Sequence, residues 1–173
     1  MRYPLSAVVA VVLLTGSAWA DEAAAVQAVE KLGGQVRRDD KQPGRPVVGV
    51  YLGDTPVTGA GLKDLKDLKQ LQTLDLSGTK VTDAGLKELK DFKQLQALHL
   101  SDTDVTEAGL KELKDLKQLQ TLGLRSTPVT DAGLKELKDL KQLWVLDLHG
   151  TKVTDEGVKD LKAALPRLII FGR

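Results

Sequence analysis

The chain has 173 residues, 42% of them hydrophobic but only 3% aromatic, with no cysteine and 25 basic against 24 acidic side chains. These totals exclude a disulfide scaffold and a core built on large rings, so Leu and Val must do the packing. A near-neutral, evenly mixed chain has no electrostatic reason to bind nucleic acid or an anionic membrane surface.

Residues 1–20, MRYPLSAVVAVVLLTGSAWA, read as a secretory signal peptide: Arg2, an apolar run from Ala7 to Leu14, then Ala18, Trp19 and Ala20 before a cut expected after Ala20. A membrane anchor needs about 20 apolar residues. The uninterrupted run here is far shorter, so no membrane span is expected after cleavage. Cleavage removes Arg2 from the 25 basic residues, leaving 24 against 24. The reading is of a secreted or periplasmic bacterial protein.

Residues 21–46 form an N-terminal cap and linker. Asp21 to Leu32 places Ala25, Val26, Val29 and Leu32 on one helical face, has acids in its first turn and stops at Gly33 and Gly34. Gln35 to Arg38 is expected to be a brief strand, and DDKQPGRP, 39 to 46, a polar turn.

Residues 47–173 are a repeat array. Val recurs at 57, 81, 105, 129 and 153, a period of 24, and VVGVYLGDTP from Val47 lines up with LQTLDLSGTK from Leu71. Such a period marks a solenoid, whose units are too small to bury an apolar face alone. In each unit Leu71, Leu74 and Leu76 point inward while Thr73, Asp75 and Ser77 alternate outward, as in a strand with one wet face. After a turn, Leu86, Leu89 and Phe92 recur every three residues as the stripe of a short helix, with Thr82 as N-cap and Asp83 and Lys87 as an i,i+4 pair. The predicted fold class is α/β: about six strands in a parallel sheet on a concave face, short helices on a convex face, and a helical cap. Crossovers of this kind are right-handed.

The pattern LxxLxLxxTxVTDxGLKxL resembles the leucine-rich repeat family, and its VTDAGL segment is similar to the ribonuclease-inhibitor and F-box types, without an F-box. The resemblance implies a right-handed solenoid that binds protein ligands on its concave sheet. Where the family usually has Asn after the strand, this chain has Thr, at 55, 79, 103, 127 and 151. A hydroxyl can still bond a neighbouring backbone group. Glycine at 61, 85, 109, 133 and 157 lies in each helix's first turn, where it costs about 1 kcal/mol against Ala. Repetition of a costly residue points to close packing between coils.

The copies differ mainly on the sheet face. Lysines at 63, 87, 111 and 135, and at 66, 90, 114 and 138, hardly change along the helices. The outward strand positions vary, as do the turn positions Gly78, Asp102, Ser126 and Gly150. A tuned binding surface would vary in this way; recent duplication with chance changes is the alternative. The candidate face comprises Tyr51, Thr73, Asp75, Ser77, His99, Ser101, Asp102, Thr121, Arg125, Val145, Asp147 and His149.

Asp75, His99 and Ser101 hold the residue types of a nucleophilic triad, but no pocket or oxyanion hole is suggested, and catalysis is not expected. His99 and His149, the two histidines, fall two strands apart in different columns, too far for a ready ligand pair. No metal or cofactor is expected. At the end of the array Trp144 replaces a Gln and the last strand, LIIF, follows an extra residue in AALPRL. Trp144, Val145, Ile169 and Ile170 are expected to form an apolar strip beside an unpaired edge, either an improvised cap or a place for self-association or partner docking. The expected role is a non-catalytic, protein-binding scaffold. The alternatives are a structural envelope component contacting through its charged convex helices, or a glycan-binding module.

Overall fold

A 24-residue unit with inward Leu at fixed positions must bring the same side chains back over one another with every turn of the chain. The computed structural model describes residues 22–172 and shows how this happens. The segment read as a signal peptide lies outside the described residues. An opening helix, α1, covers residues 22–31. It is followed by β1 (Gln35–Arg38), β2 (Val47–Tyr51), α2 (Gly59–Leu62), β3 (Thr73–Asp75), α3 (Asp83–Leu86), β4 (Ala97–His99), α4 (Glu107–Lys111) and β5 (Thr121–Gly123). The last two coils contain α5 (Asp131–Glu136), β6 (Val145–Asp147), α6 (Asp155–Ala164) and β7 (Ile169–Phe171).

Seven strands make one open sheet in chain order, one more than the six of the array because β1 joins it. The pairing from β2 to β7 is parallel with a constant offset of 24, so Leu74, Leu98, Leu122 and Leu146 stand in one row. β1 breaks the parallel rule: it pairs antiparallel with β2 and carries a bulge between Arg37 and Arg38. Every array leucine from Leu52 to Leu148 is buried, the least accessible at 0%. The sheet is therefore one wall of a continuous, leucine-filled core.

The opposite wall is mostly not α-helical. α2, α3 and α4 are single turns that tighten into 3-10 turns over Lys63–Leu65, Lys87–Asp91 and Glu112–Asp115. The stripe of Leu86, Leu89 and Phe92, spaced by three, already specified this, because side chains three apart line up on a 3-10 helix and drift on an α-helix. The i,i+4 pair of Asp83 and Lys87 accordingly does not form: α3 ends at Leu86, and no ion pair joins the two among the described residues. α6, with Val158, Leu161 and Leu165 at helical spacing, runs for 10 residues.

The N-terminal end is closed as its sequence indicated. Ala25 and Val29 are buried, Val26 and Leu32 pack against the core, and Gly33 ends the helix with φ of 84°. Glu22 fixes this cap to the sheet. One carboxylate oxygen receives Arg38 Nη1 at 2.7 Å and the other receives the Val47 backbone N–H at 2.8 Å.

Thr55, Thr79, Thr103, Thr127 and Thr151 each donate their hydroxyl to the carbonyl of the Leu three residues earlier, at 2.6 to 2.8 Å. The bond is local to each coil and closes the turn after the strand; it does not form a ladder between coils. Thr127 is 2% exposed, so Thr127→Val keeps the shape while leaving the Leu124 carbonyl without that donor. We expect a loss of about 1 to 2 kcal/mol, read as a lower urea midpoint at unchanged slope.

The VTD segments tie neighbouring coils together in a way that spacing alone did not reveal. Asp83 accepts the Thr106 N–H at 2.8 Å and the Thr106 hydroxyl at 2.7 Å. Asp131 does the same for Thr154, at 2.8 and 2.6 Å. With its hydroxyl proton so directed, each of these threonines accepts a backbone N–H in its own helix, Thr106 from Ala108 and Thr154 from Gly157. Thr82 and Thr130 follow a coil with Gly59 and Glu107 at the aspartate position, and neither caps its helix with its side chain. Thr82 is thus not the side-chain N-cap its sequence suggests.

The glycine column answers to the same contacts. A methyl group at Gly109 would collide with the Asp83 carboxylate, and one at Gly157 with that of Asp131. At Gly85 it would lie 2.8 Å from Gly59 Cα. Close approach between coils is therefore the reason for glycine at 85, 109, 133 and 157, while at Gly61 the nearest atom belongs to Val57 of its own coil.

Candidate binding surface on the sheet

Because side chains alternate along each strand, the residues between the inward leucines stand in rows across the sheet. Register places Tyr51, Asp75, His99, Gly123, Asp147 and Phe171 in one row, and Gly49, Thr73, Ala97, Thr121, Val145 and Ile169 in the next. Ser77, Ser101, Arg125 and His149 follow two residues after the first row, on the same outward side. Eleven of the twelve residues expected on the face therefore lie in these rows, and Asp102 lies in the turn beyond β4. Arg37 on β1 joins them: it covers Gly49 beside the Tyr51 ring.

The acid, histidine and serine of the triad-like set do not act as one. Asp75 is the register partner of His99, but its Oδ1 accepts the Ser77 N–H at 3.0 Å and the Ser77 hydroxyl at 2.7 Å, within its own coil. His99 instead leans over Gly123: a methyl group there would lie 3.2 Å from its Nδ1. Asp147 repeats the Asp75 arrangement three coils on. Its Oδ1 accepts the His149 N–H at 3.0 Å and lies 2.6 Å from His149 Nδ1.

Partial burial works against the charged Asp147 carboxylate. The His149 N–H, the His149 ring and the charges of His149 and Arg125 outweigh it and hold its pKa below the usual value. A pKa lowered by folding contributes stability above the unfolded value, about 3.9 for Asp, and that contribution disappears as pH falls through the folded pKa. The melting temperatures of wild type and Asp147→Asn should therefore differ at pH 6 and converge in strong acid.

The turn positions are governed by backbone shape as well as by any ligand. Asp54, Gly78, Asp102, Ser126 and Gly150 all have φ between 55° and 70°, and the first four donate N–H to a carbonyl of the next coil at 2.7 to 2.8 Å. Asp and Gly tolerate this left-handed region better than Ser. Variation from Gly78 to Asp102 to Ser126 is thus constrained by conformation. Ser126→Gly should stabilise the protein by about 0.5 kcal/mol, seen as a small rise in melting temperature.

The apolar strip differs from its sequence outline at one place. Ile170 pairs with Leu146 and packs against the core, while Phe171, in register with Asp147, is the outward residue. The extra residue in AALPRL is absorbed before β7. Leu168 closes its turn on Leu165 as Leu143 does on Leu140, yet Ile169 pairs with Val145 at the normal offset. Leu and Ile at 168 and 170 with Ile and Phe between and after them carry a period of two that marks Ile170 as inward. Trp144, immediately before β6, is 52% exposed, Ile169 42% and Phe171 51%.

Residues 69–90 match the family profile described as Leucine Rich repeat. A search of curated proteins returns no match. Among solved structures, internalin C2 from Listeria monocytogenes is 22% identical, with a TM-score of 0.52 over 85% of this chain and 81% of that one. A PEPR1–AtPEP1 structure is 21% identical, with a TM-score of 0.50 over 79% of this chain and 19% of that one. This chain therefore spans about a fifth of the latter. At these identities the likeness is one of fold. No helix among the described residues is long and apolar enough to cross a membrane. The matched profile agrees with the 24-residue coil and its inward leucines: residues 69–90 carry the leucine-rich repeat pattern, and the array has the fold of such repeats.

Proposed function

We propose that this protein is a non-catalytic binding module that holds a protein ligand against its sheet face, in the secreted or periplasmic compartment indicated by its first 20 residues. One observation supports the choice of face. The exposed large hydrophobic side chains among the described residues, Tyr51, Trp144, Ile169 and Phe171, all lie in or immediately beside the sheet, and none is on a helix. Exposed rings and branched side chains along a sheet, next to charged residues, suit an interface core and its rim. The helix face is by contrast a repeated lattice of Lys with Asp and Glu, whose charges are solvated and carry little energy singly.

Affinity capture from envelope and culture-supernatant fractions tests this reading. A protein retained by the wild type and lost to Trp144→Ser with Phe171→Ser is the expected outcome. Retention by that variant at wild-type strength would refute the choice of face.

A further inference from the structure

The coils are near-copies, but the seams between them are not. On the sheet side each seam is closed in the same way, by backbone hydrogen bonds from one coil to the next. On the helix side the closures differ. Between residues 47–70 and 71–94, Thr58 bridges to Lys80, and the backbones meet so closely that a methyl group at Gly59 would lie 2.6 Å from Gly85 Cα. Between 71–94 and 95–118 stands the double hydrogen bond from Thr106 to Asp83. Between 119–142 and 143–166 stand the equivalent pair from Thr154 to Asp131 and a bond from the Lys152 N–H to the Val129 carbonyl at 3.0 Å.

The seam between 95–118 and 119–142 lacks both kinds of tie. Glu107 takes the aspartate position, and no hydrogen bond joins it to Thr130 among the described residues. Pro128 takes the position of Lys152 and has no N–H to donate. Two separate departures from the repeat thus fall on one seam. Its helix side is held by apolar contact instead: a methyl group at Gly133 would lie 3.0 Å from Leu110 Cδ1. Its sheet side stays bonded, with Leu100 and Asp102 donating to Gly123 and Arg125 at 2.9 and 2.8 Å. Apolar contact is non-directional and yields to tilting more readily than a pair of aligned hydrogen bonds.

We infer that the solenoid has a hinge at this seam: the helix sides of the two coils part and close, while the sheet, bonded throughout, serves as the hinge line. Each coil of a solenoid contacts only its neighbours, so the least restrained seam sets where the array bends. The sheet face is thereby divided into two stiff halves whose angle changes, Tyr51, Asp75 and His99 on one and Arg125, Asp147 and Phe171 on the other. A protein seated across both halves would favour one angle. The hinge itself does not depend on which face binds.

Because the chain has no cysteine, paired spin labels can report the bend. Lys63→Cys with Lys111→Cys, and Lys87→Cys with Lys135→Cys, put labels at exposed, equivalent helix positions two coils apart. The first pair spans the two seams before the hinge; the second spans the Asp83–Thr106 seam and the hinge. Electron paramagnetic distance measurements should give the second pair a distribution about twofold broader than the first. Glu107→Asp with Pro128→Lys, which supplies both missing groups, should narrow the second pair to the width of the first. Asp83→Ala, which breaks an existing tie, should broaden the first pair in turn. Equal widths in the wild type would overturn the inference. So would a second pair that stays broad in the restored variant after its urea midpoint has risen, or a first pair whose width Asp83→Ala leaves unchanged.

Discussion

Leu98→Ala should cost about 3 to 4 kcal/mol, well above the loss a surface substitution brings. Leu98 lies in the central strand β4, is 0% exposed and stands in register between Leu74 and Leu122. Removing three of its carbons leaves a void bounded by identical layers on both sides, and each layer is held by backbone bonds to the next. Leu76 donates to His99 and Leu100 to Gly123, both at 2.9 Å. The coils therefore cannot close over the gap, and the lost contacts add to the lost burial. Ile170→Ala removes a similar volume but should cost about 1 to 2 kcal/mol, because β7 has a neighbour on one side only and Ile170 is already partly exposed. Urea unfolding of the two variants distinguishes the cases; equal losses would mean that the central coils can relax as freely as the last.

Asp83→Ala should cost about 2 to 3 kcal/mol, far more than an acidic residue on a short helix normally contributes. As a first-turn acid acting through the helix dipole alone, Asp83 would be worth a fraction of a kcal/mol. In the structure its carboxylate instead receives two hydrogen bonds from Thr106 in the next coil and directs that hydroxyl to cap α4. Its loss removes both bonds and the cap together. Glu107 supplies the internal control. It occupies the same place one coil later, but no hydrogen bond joins it to Thr130, and Thr130 does not cap α5 with its side chain. Glu107 differs from Asp83 by one methylene. Glu107→Ala should therefore be close to neutral, and Glu107→Asp should gain about 1 kcal/mol by completing the missing tie, measured as a rise in urea midpoint. If Glu107→Asp fails to stabilise, the aspartate ties are consequences of coil packing and do not contribute to it.

These two cases mark what could be read in the sequence and what could not. The inward positions were legible because each coil meets the same packing problem and answers it with the same residue, so period and alternation sufficed to place Leu74, Leu98 and Leu122. The rows of the sheet face followed, since a constant offset of 24 fixes which residues are neighbours. The aspartate ties were not legible: Asp83 and Thr106 lie 23 residues apart, and each has an adequate local explanation as a first-turn acid or an N-cap. Their signal was present only as a coincidence, Gly at 109 following Asp at 83. The last coil was misframed for a related reason. The extra residue in AALPRL led the sequence reading to place Ile170 on the strip, whereas the register keeps its offset of 24 and puts Phe171 outward, as the alternation within LIIF also indicates. The turn residues Asp102 and Ser126 looked like ligand-driven variation because a left-handed φ leaves no mark on a single side chain.

The direct test of the sheet face as the functional surface is a comparison of two multiple variants for binding to a captured protein ligand. One changes Asp75, His99, Arg125 and Asp147 together to Ala; the other reverses the charge of Lys87, Lys90, Lys111 and Lys114 on the helix face. Both should fold, because all eight side chains lie outside the leucine core. If the ligand sits on the sheet, the first variant loses it and the second retains it. Loss in the lysine variant with full binding by the sheet-face variant would contradict that placement.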